Sequence, residues 1–324
     1  MKQYIKAEAF NRSIELALNS SINTDEALQR IKRTIAALPP DKLYHGHHNG
    51  WISFYKRING KQVYLSKASN EVYLLARRRY LLLLQSILEL TNSRDEKSIN
   101  ARRDLIKEIQ KLVCDYASGN LDIARIVMTP KQYKWFISPF PQKTIDKSIT
   151  YESSGGIFVR SKSERDIMHS FEAFAVPAHY EERTQVDVQL LVEALYAALK
   201  KAGKLNGTLF YFSNGACRWH VPKELEWMNS PGSLWSTYSY RTGKITIFDD
   251  FKIMLANNEL LIWEHLGMCS DFIYRSSAGE RSMVLRYTKA VPRGNLIETF
   301  EHEVDSTEKI TEILAREVLP RLWF

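Results

Sequence analysis

The sequence predicts an α/β protein in two parts: a mainly helical amino-terminal module containing one β-hairpin, then a domain in which strands and helices alternate. Three observations predict it. Asn59-Gly60, the preferred pair for a two-residue type I′ turn, joins two runs rich in aromatic and β-branched residues. Apolar side chains recur at helical spacing through much of residues 1–150. Beyond residue 157, short β-branched runs alternate with amphipathic ones, the pattern of an α/β domain.

Residues 5–36 place Ile14, Leu16 and Leu18, then Ala27, Leu28, Ile31 and Ile35, at helical intervals, and Pro39-Pro40 ends the second segment. His45, His47 and His48 follow in a glycine-containing stretch with no acidic or cysteine neighbour in sequence, so a solvent-exposed loop is expected there rather than a metal site. Trp51–Ile58 and Lys61–Leu65 read as the hairpin strands. Helices are expected over 70–90 and 98–117, separated by the polar link "TNSRDEKS". The aperiodic stretch 135–156 ends in Gly155-Gly156 and reads as a linker, dividing the chain into 1–150 and 151–324. After it come an extended lead-in, a helix opening at Ser161–Ser163 with Ile167, Phe171 and Phe174 on one face, a short strand "PAHYEE", and a helix over 186–202. Residues 208–244 are irregular; strands around Asp249-Asp250 and Trp263-Glu264-His265, a helix near 277–290, a strand at 295–301 and a closing helix from Thr307 to Leu319 complete the chain.

Charge is unevenly spread. The formal net charge is +8, but residues 1–150 hold 25 Lys and Arg against 14 Asp and Glu, while 151–324 hold 20 against 23, so the halves carry +11 and −3. That asymmetry fits a module that grips a polyanion joined to one that gathers carboxylates; a lysine-rich solvated surface is the plainer reading. No uncharged apolar run reaches the roughly 18 residues of a membrane span, and the opening Met-Lys-Gln-Tyr-Ile-Lys lacks a secretory leader's apolar centre. Three scattered cysteines form neither a disulfide framework nor a CxxC pair, so a cytoplasmic setting is expected. Nucleophile-elbow, Walker and Rossmann glycine patterns are absent.

The stretch "ITIFDDFKIMLANNELLIWEHLGM" puts acids inside two β-branched runs joined by a short loop. Strand alternation places Asp250 and Lys252 on one face and Asp249 on the other, and antiparallel pairing brings Asp250 beside Glu264. Two adjacent carboxylates raise each other's pKa unless a cation neutralises them, and a hard divalent ion suits oxygen ligands. Glu164, in Ser-Lys-Ser-Glu, also has the position of a capping-box residue with Ser161.

Taken in order, "VRSKSERDI", "HYEE", "DDF", "WEHLGM" and "NLIETFE" resemble a group of bacterial and phage proteins with a PD-(D/E)XK, or restriction-endonuclease-like, nuclease domain. The resemblance covers roughly residues 39–90 and 157–319. It implies a mixed sheet flanked by helices, and a nuclease hydrolysing nucleic-acid phosphodiesters, DNA before RNA, with Mg²⁺ or Mn²⁺. It implies Glu164, Asp250 and Glu264 as metal-binding and catalytic carboxylates, with Glu181 or Glu182 in the family's Tyr-Glu position.

Where the family carries proline and lysine, this chain has Asp249 and Leu266. Lys252 is the first substitute for that lysine, ahead of Lys162, Arg281 and His265. An insertion over about 184–244 is read as a specificity or dimerisation element, and a homodimer is compatible with the sequence. Candidate nucleic-acid contacts are Lys56, Arg57, Lys61 and Lys67 on or after the hairpin, Arg77 and Arg78 on the next helix, and Lys162. The hairpin aromatics either read nucleic acid or pack on the following helix. The rival function is a non-catalytic nucleic-acid-binding or assembly protein on the same scaffold.

Overall fold

The computed structural model describes residues 12–17, 24–48, 50–143, 150–187, 244–267 and 294–323, with short pieces within 197–203 and 281–286. The amino-terminal module begins with a helical piece at 12–17 and α1 (Thr24–Ala36), which buries Ala27 and Ile31. A three-stranded antiparallel sheet follows in the order β1 (Tyr44–His48), β2 (Trp51–Ile58), β3 (Lys61–Leu65). Asn59 and Gly60 have φ of 50° and 78°, so the turn takes the doubly left-handed form that the Asn-Gly pair favours. β1 was missed in the sequence: histidines and a glycine give little strand signal, and its pairing to β2 from Tyr44↔Tyr55 to His48↔Trp51 supplies the stabilisation.

Two long helices carry this sheet. α2 (Asn70–Glu89) starts where Ser69 accepts the Val72 amide, and α3 (Glu96–Ser118) where Asp95 accepts that of Ser98. Short helices α4 (Ile123–Val127) and α5 (Pro130–Phe136) follow, the second opened by a Thr129/Gln132 capping box with Pro130 at its first position. Gln132 also donates to the Met254 carbonyl at 3.0 Å, tying α5 to the second half of the chain.

That half begins with a ribbon of β4 (Tyr151–Glu152) and β5 (Phe158–Val159), followed by α6 (Lys162–Phe174). Its main sheet has the order β6 (Ala178–Asp187), β7 (Lys244–Met254), β8 (Leu260–Leu266), β9 (Leu296–Phe300). The first three strands are antiparallel and β9 joins parallel to β8, so the sheet is mixed. Phe171 of α6 meets Phe251 and Trp263 edge-on at 5.1 and 5.6 Å, which fixes the helix on the sheet. The chain closes with α7 (Thr307–Ile313), a π-helical turn over Leu314–Val318 and α8 (Leu319–Trp323), where the sequence predicts one unbroken helix.

Several expected boundaries move. The strand seen in "PAHYEE" is longer than expected: β6 pairs with β7 as far as Asp187↔Lys244, so the connection between them comprises 188–243, and its expected helix over 186–202 lies largely outside the described residues. The stretch read as a linker is pinned to the outer edge of β6, where Arg183 donates to the Pro141 carbonyl and Lys143 to that of Glu181. Buried apolar side chains from Ile14 to Leu322 form one continuous cluster, so no gap in the core marks residue 150. Among the described residues, no helix is long and apolar enough to cross a membrane.

Arg77, a candidate nucleic-acid contact, is buried in that core. Its guanidinium donates to the carbonyls of Ile126 and Met128, closing the end of α4 against α2, and a phosphate cannot reach it. Arg77→Met leaves those carbonyls without their donor and is expected to cost about 1–3 kcal/mol in denaturant unfolding. Arg57→Ala, on the exposed hairpin, is expected to change stability by less than about 0.5 kcal/mol. Equal losses from the two would remove the structural role assigned to Arg77.

Candidate active site

The site lies where the start of α6 meets the middle of the main sheet. The pairs Tyr180↔Phe251 and Glu182↔Asp249 set Glu181 opposite Asp250. The pair Phe251↔Trp263 sets Asp250 opposite Glu264, and Glu264 pairs with Glu298 on β9. One row across four adjacent strands thus carries a carboxylate at every position. Glu181, Asp250 and Glu264 are each at most 1% exposed.

Two departures from regular strand geometry accommodate the row. Glu181 has φ of 53°, the left-handed region that a residue with a Cβ enters at a cost. β7 and β8 stop pairing after Phe251↔Trp263, and the freed backbone amides turn to carboxylates. The Asp250 amide donates to Glu264 Oε1 at 3.2 Å, and the His265 amide donates to Asp250 Oδ2 at 2.7 Å. The bond from the Asp250 amide opposes the rise in the Glu264 carboxyl, as an amide donor to a carboxylate does.

Two arginines supply the counter-charge. Arg160 Nη2 is 3.1 Å from Asp250 Oδ1, 3.6 Å from Glu164 Oε1 and in tight contact with Glu181 Oε1. Arg281 Nη2 lies 2.8 Å from Glu264 Oε2 and 3.8 Å from Asp250 Oδ2. Arg281 was among the weaker substitutes for the missing lysine; Arg160 was not foreseen. Its signal was its place just before the Ser161 cap, which returns it to the sheet beside the acid it precedes by four residues.

Glu164 closes the capping box and lies beside the acid row. Its Oε2 accepts the amides of Arg160 and Ser161, each at 2.9 Å, and the Tyr180 hydroxyl at 3.0 Å, while Ser161 Oγ accepts the Glu164 amide. The capping box therefore engages one oxygen and leaves the other turned to Arg160. Lys162, the first residue of α6, is exposed.

Lys252 does not join Asp250. The left-handed turn of the backbone at Glu181 breaks the alternation of β6, so His179 and Glu182 come together across it at 2.6 Å. Lys252 Nζ sits with that pair, 3.1 Å from Glu182 Oε1, 3.2 Å from Asp249 Oδ2 and 3.3 Å from the Arg183 carbonyl. Strict alternation, which put Lys252 with Asp250, fails at this row. Asp249, in the place of the family's proline, is fully buried, accepts from Thr184, and burial pushes its carboxyl up to about 6 against the pull of Lys252. His265, also named from sequence, contacts Glu301 at 3.0 Å, and Ser163 donates to the other oxygen of Glu301.

The acids exceed the arginines beside them, and the electrostatics show it. Burial pushes the Glu181 carboxyl up to about 7, with the Asp250 charge adding to the rise and Arg160 opposing it. Burial and the Asp250 charge hold Glu264 well above the usual carboxylate range despite Arg281. Hard oxygen donors with surplus buried negative charge suit a divalent ion bound by one or two carboxylates and completed by water. The acids do not form a closed cage: among the described residues, the group whose His, Cys, Asp and Glu ligand atoms gather within 4.8 Å is His45, His47 and Asp115. The loop expected at the histidines is instead strand β1, and α3 brings Asp115 to 3.3 Å from His45; that grouping by itself assigns no metal.

No protein-family model matches the chain, and comparisons with curated proteins and with solved structures give no significant match.

The raised carboxyl of Glu181 fixes a pH dependence. Its folded value, about 7, lies above the ordinary 4.5, so the stability contributed by the neutral form is complete below about 4.5 and is lost as pH rises through 7. Glu181→Gln removes that loss and is expected to be the more stable protein near pH 8, by on the order of 1–3 kcal/mol, with a flatter melting temperature between about pH 5 and 8. Thermal melts across that range check it, and a wild-type slope in the variant would place the titration elsewhere.

Proposed function

We propose that the chain is a metal-dependent nuclease on a restriction-endonuclease-like scaffold, cleaving DNA phosphodiesters in preference to RNA. The observation that carries the reading is the buried row Glu181, Asp250 and Glu264 across three adjacent strands, facing the start of a helix whose Glu164 completes the acid set. Its support is the donor chemistry, the charge surplus and the ordered motifs that resemble those nucleases.

Asp250 and Glu264 would hold Mg²⁺ or Mn²⁺, with Glu181 and Glu164 beside them on Arg160. Bound there, the ion would act as a Lewis acid on the phosphate and make water a competent nucleophile near neutral pH. The arginines do what the family's lysine would have done. Arg160 and Arg281 bind non-bridging phosphate oxygens and offset the charge that grows on them, a task suited to a forked donor that stays protonated. Lys252 anchors Glu182 and Asp249 one row away, keeping the strand that carries Asp250 in place.

One observation favours the non-catalytic alternative: Arg160 already bridges Asp250 and Glu181, as a permanent counter-ion would. Metal titration separates the two. Calorimetry with Mn²⁺ is expected to show binding that Asp250→Asn or Glu264→Gln abolishes, and both variants are expected to lose at least about a hundredfold of Mg²⁺-dependent cleavage over a panel of DNA and RNA substrates. Arg281→Ala is expected to cut turnover on the order of tenfold to a hundredfold while keeping metal binding. Cleavage surviving in both carboxylate variants would remove the site, and absent metal binding would favour the binder.

A further inference from the structure

The sheet β1–β3 has two unlike faces. Ile52 and Phe54 are buried toward the helices, where Phe54 meets Tyr116 of α3 at 5.9 Å. The opposite face carries a tyrosine from each strand in one cross-strand row, since Tyr44 pairs with Tyr55 and Tyr55 with Tyr64. Their rings form a ladder: Tyr44 and Tyr55 stack at 5.5 Å with 13° between planes, and Tyr55 and Tyr64 lie 5.9 Å apart. Strand alternation puts Trp51 on the same face, and Tyr64 and Trp51 are 65% and 71% exposed.

Cations surround these rings. Lys42 and Arg57 lie 5.3 and 5.2 Å from the Tyr44 ring, and Lys67 lies 6.0 Å from that of Trp51. None of the three strands contains an aspartate or glutamate. Lys56, on the inner side, is neutralised by Glu71 and Asp41 at 2.5 and 3.5 Å and leaves the candidate interface. Cross-strand ring pairing alone would stabilise the sheet, but it calls neither for exposed rings nor for a face of wholly positive charge.

We propose that this face binds single-stranded nucleic acid, stacking two or three unpaired bases on Tyr55, Tyr64 and Trp51 while Lys42, Arg57 and Lys67 hold the phosphates. The reasons are chemical. Every base has a π-face that stacks on an aromatic ring, and flanking cations match the backbone charge. In a duplex those faces are already stacked on each other, so a row of exposed rings does not engage them. The inference rests on the proposed nuclease reading for its substrate, and it adds the strandedness that the carboxylate row does not address.

The test uses the full chain in EDTA, which separates binding from cleavage, and fluorescence anisotropy of labelled oligothymidylate, oligouridylate and a duplex of equal length. Single strands are expected to bind on the order of tenfold more tightly than the duplex at moderate salt. Tyr55→Leu with Tyr64→Leu is expected to weaken single-strand binding roughly tenfold or more, while Tyr64→Phe keeps it. If the double variant melts early, Tyr64→Leu alone, at a largely exposed position, gives the same reading. Equal affinity for duplex, or unaltered binding in the leucine variants, overturns the proposal. Intact binding with no Mg²⁺-dependent cleavage would defeat the nuclease reading alone; cleavage with unaltered binding in the leucine variants would defeat this one alone.

Discussion

Three carboxylates side by side in the middle of a sheet repel one another, and each also loses the water that would stabilise its charge. Left unpaired, each would cost several kcal/mol. The local structure around Glu181, Asp250 and Glu264 is the set of devices that offsets this. β7 and β8 part after Phe251↔Trp263, which exchanges ladder bonds for two amide-to-carboxylate bonds. The left-handed backbone at Glu181 re-aims its side chain at Arg160. Two guanidiniums, each touching more than one acid, complete the neutralisation only in part, and the carboxyls of Glu181 and Glu264 stay raised, by burial first and by the Asp250 charge after it.

The same distortion organises the neighbouring row. Once the alternation of β6 breaks at Glu181, His179 and Glu182 lie on one side, and Lys252 is drawn to them and to Asp249. His179 is clamped between Trp135 and Phe140, with ring centroids 3.8 and 3.9 Å away and nearly parallel planes. Those two residues come from the stretch read as a linker. An apparently structureless segment therefore buttresses the second charge cluster, and its backbone completes the outer edge of β6 through Pro141 and Lys143.

Much of this was legible in the residues. The Asn-Gly hairpin, the two long helices, the Ser161 cap and the adjacency of Asp250 and Glu264 follow from local chemistry and period, and local chemistry is what a single sequence displays. Long-range choices were not legible. A histidine strand such as Tyr44–His48 exists because β2 is there to pair with it. Lys252 was assigned by regular alternation, but its ammonium sits with Glu182 and Asp249, next to the strand distorted at Glu181. Arg77 looked like part of a basic patch because burial is invisible where an arginine sits among other arginines. Arg160 went unnoticed because its partners lie four, 21 and 90 residues away.

Drawing the counter-charge from two arginines outside the sheet, rather than from a lysine on the strand, determines how the site is assembled. A lysine two residues after Glu264 would ride on the same strand as the acid it serves, so sheet formation alone would deliver the charge. Here Leu266 holds that position, and the cations come from outside the sheet: Arg160 from the segment before α6, Arg281 from the helical piece at 281–286. Arginine suits that task because one planar fork can bond several carboxylates and stays protonated when buried, whereas a lysine presents a single point of charge. The acids are therefore neutralised only when α6 and the 281–286 piece are docked on the sheet, and the electrostatic cost of the bare row favours that docking. In this protein charge balance and tertiary packing are one event, with Arg160 and Arg281 as the link between them.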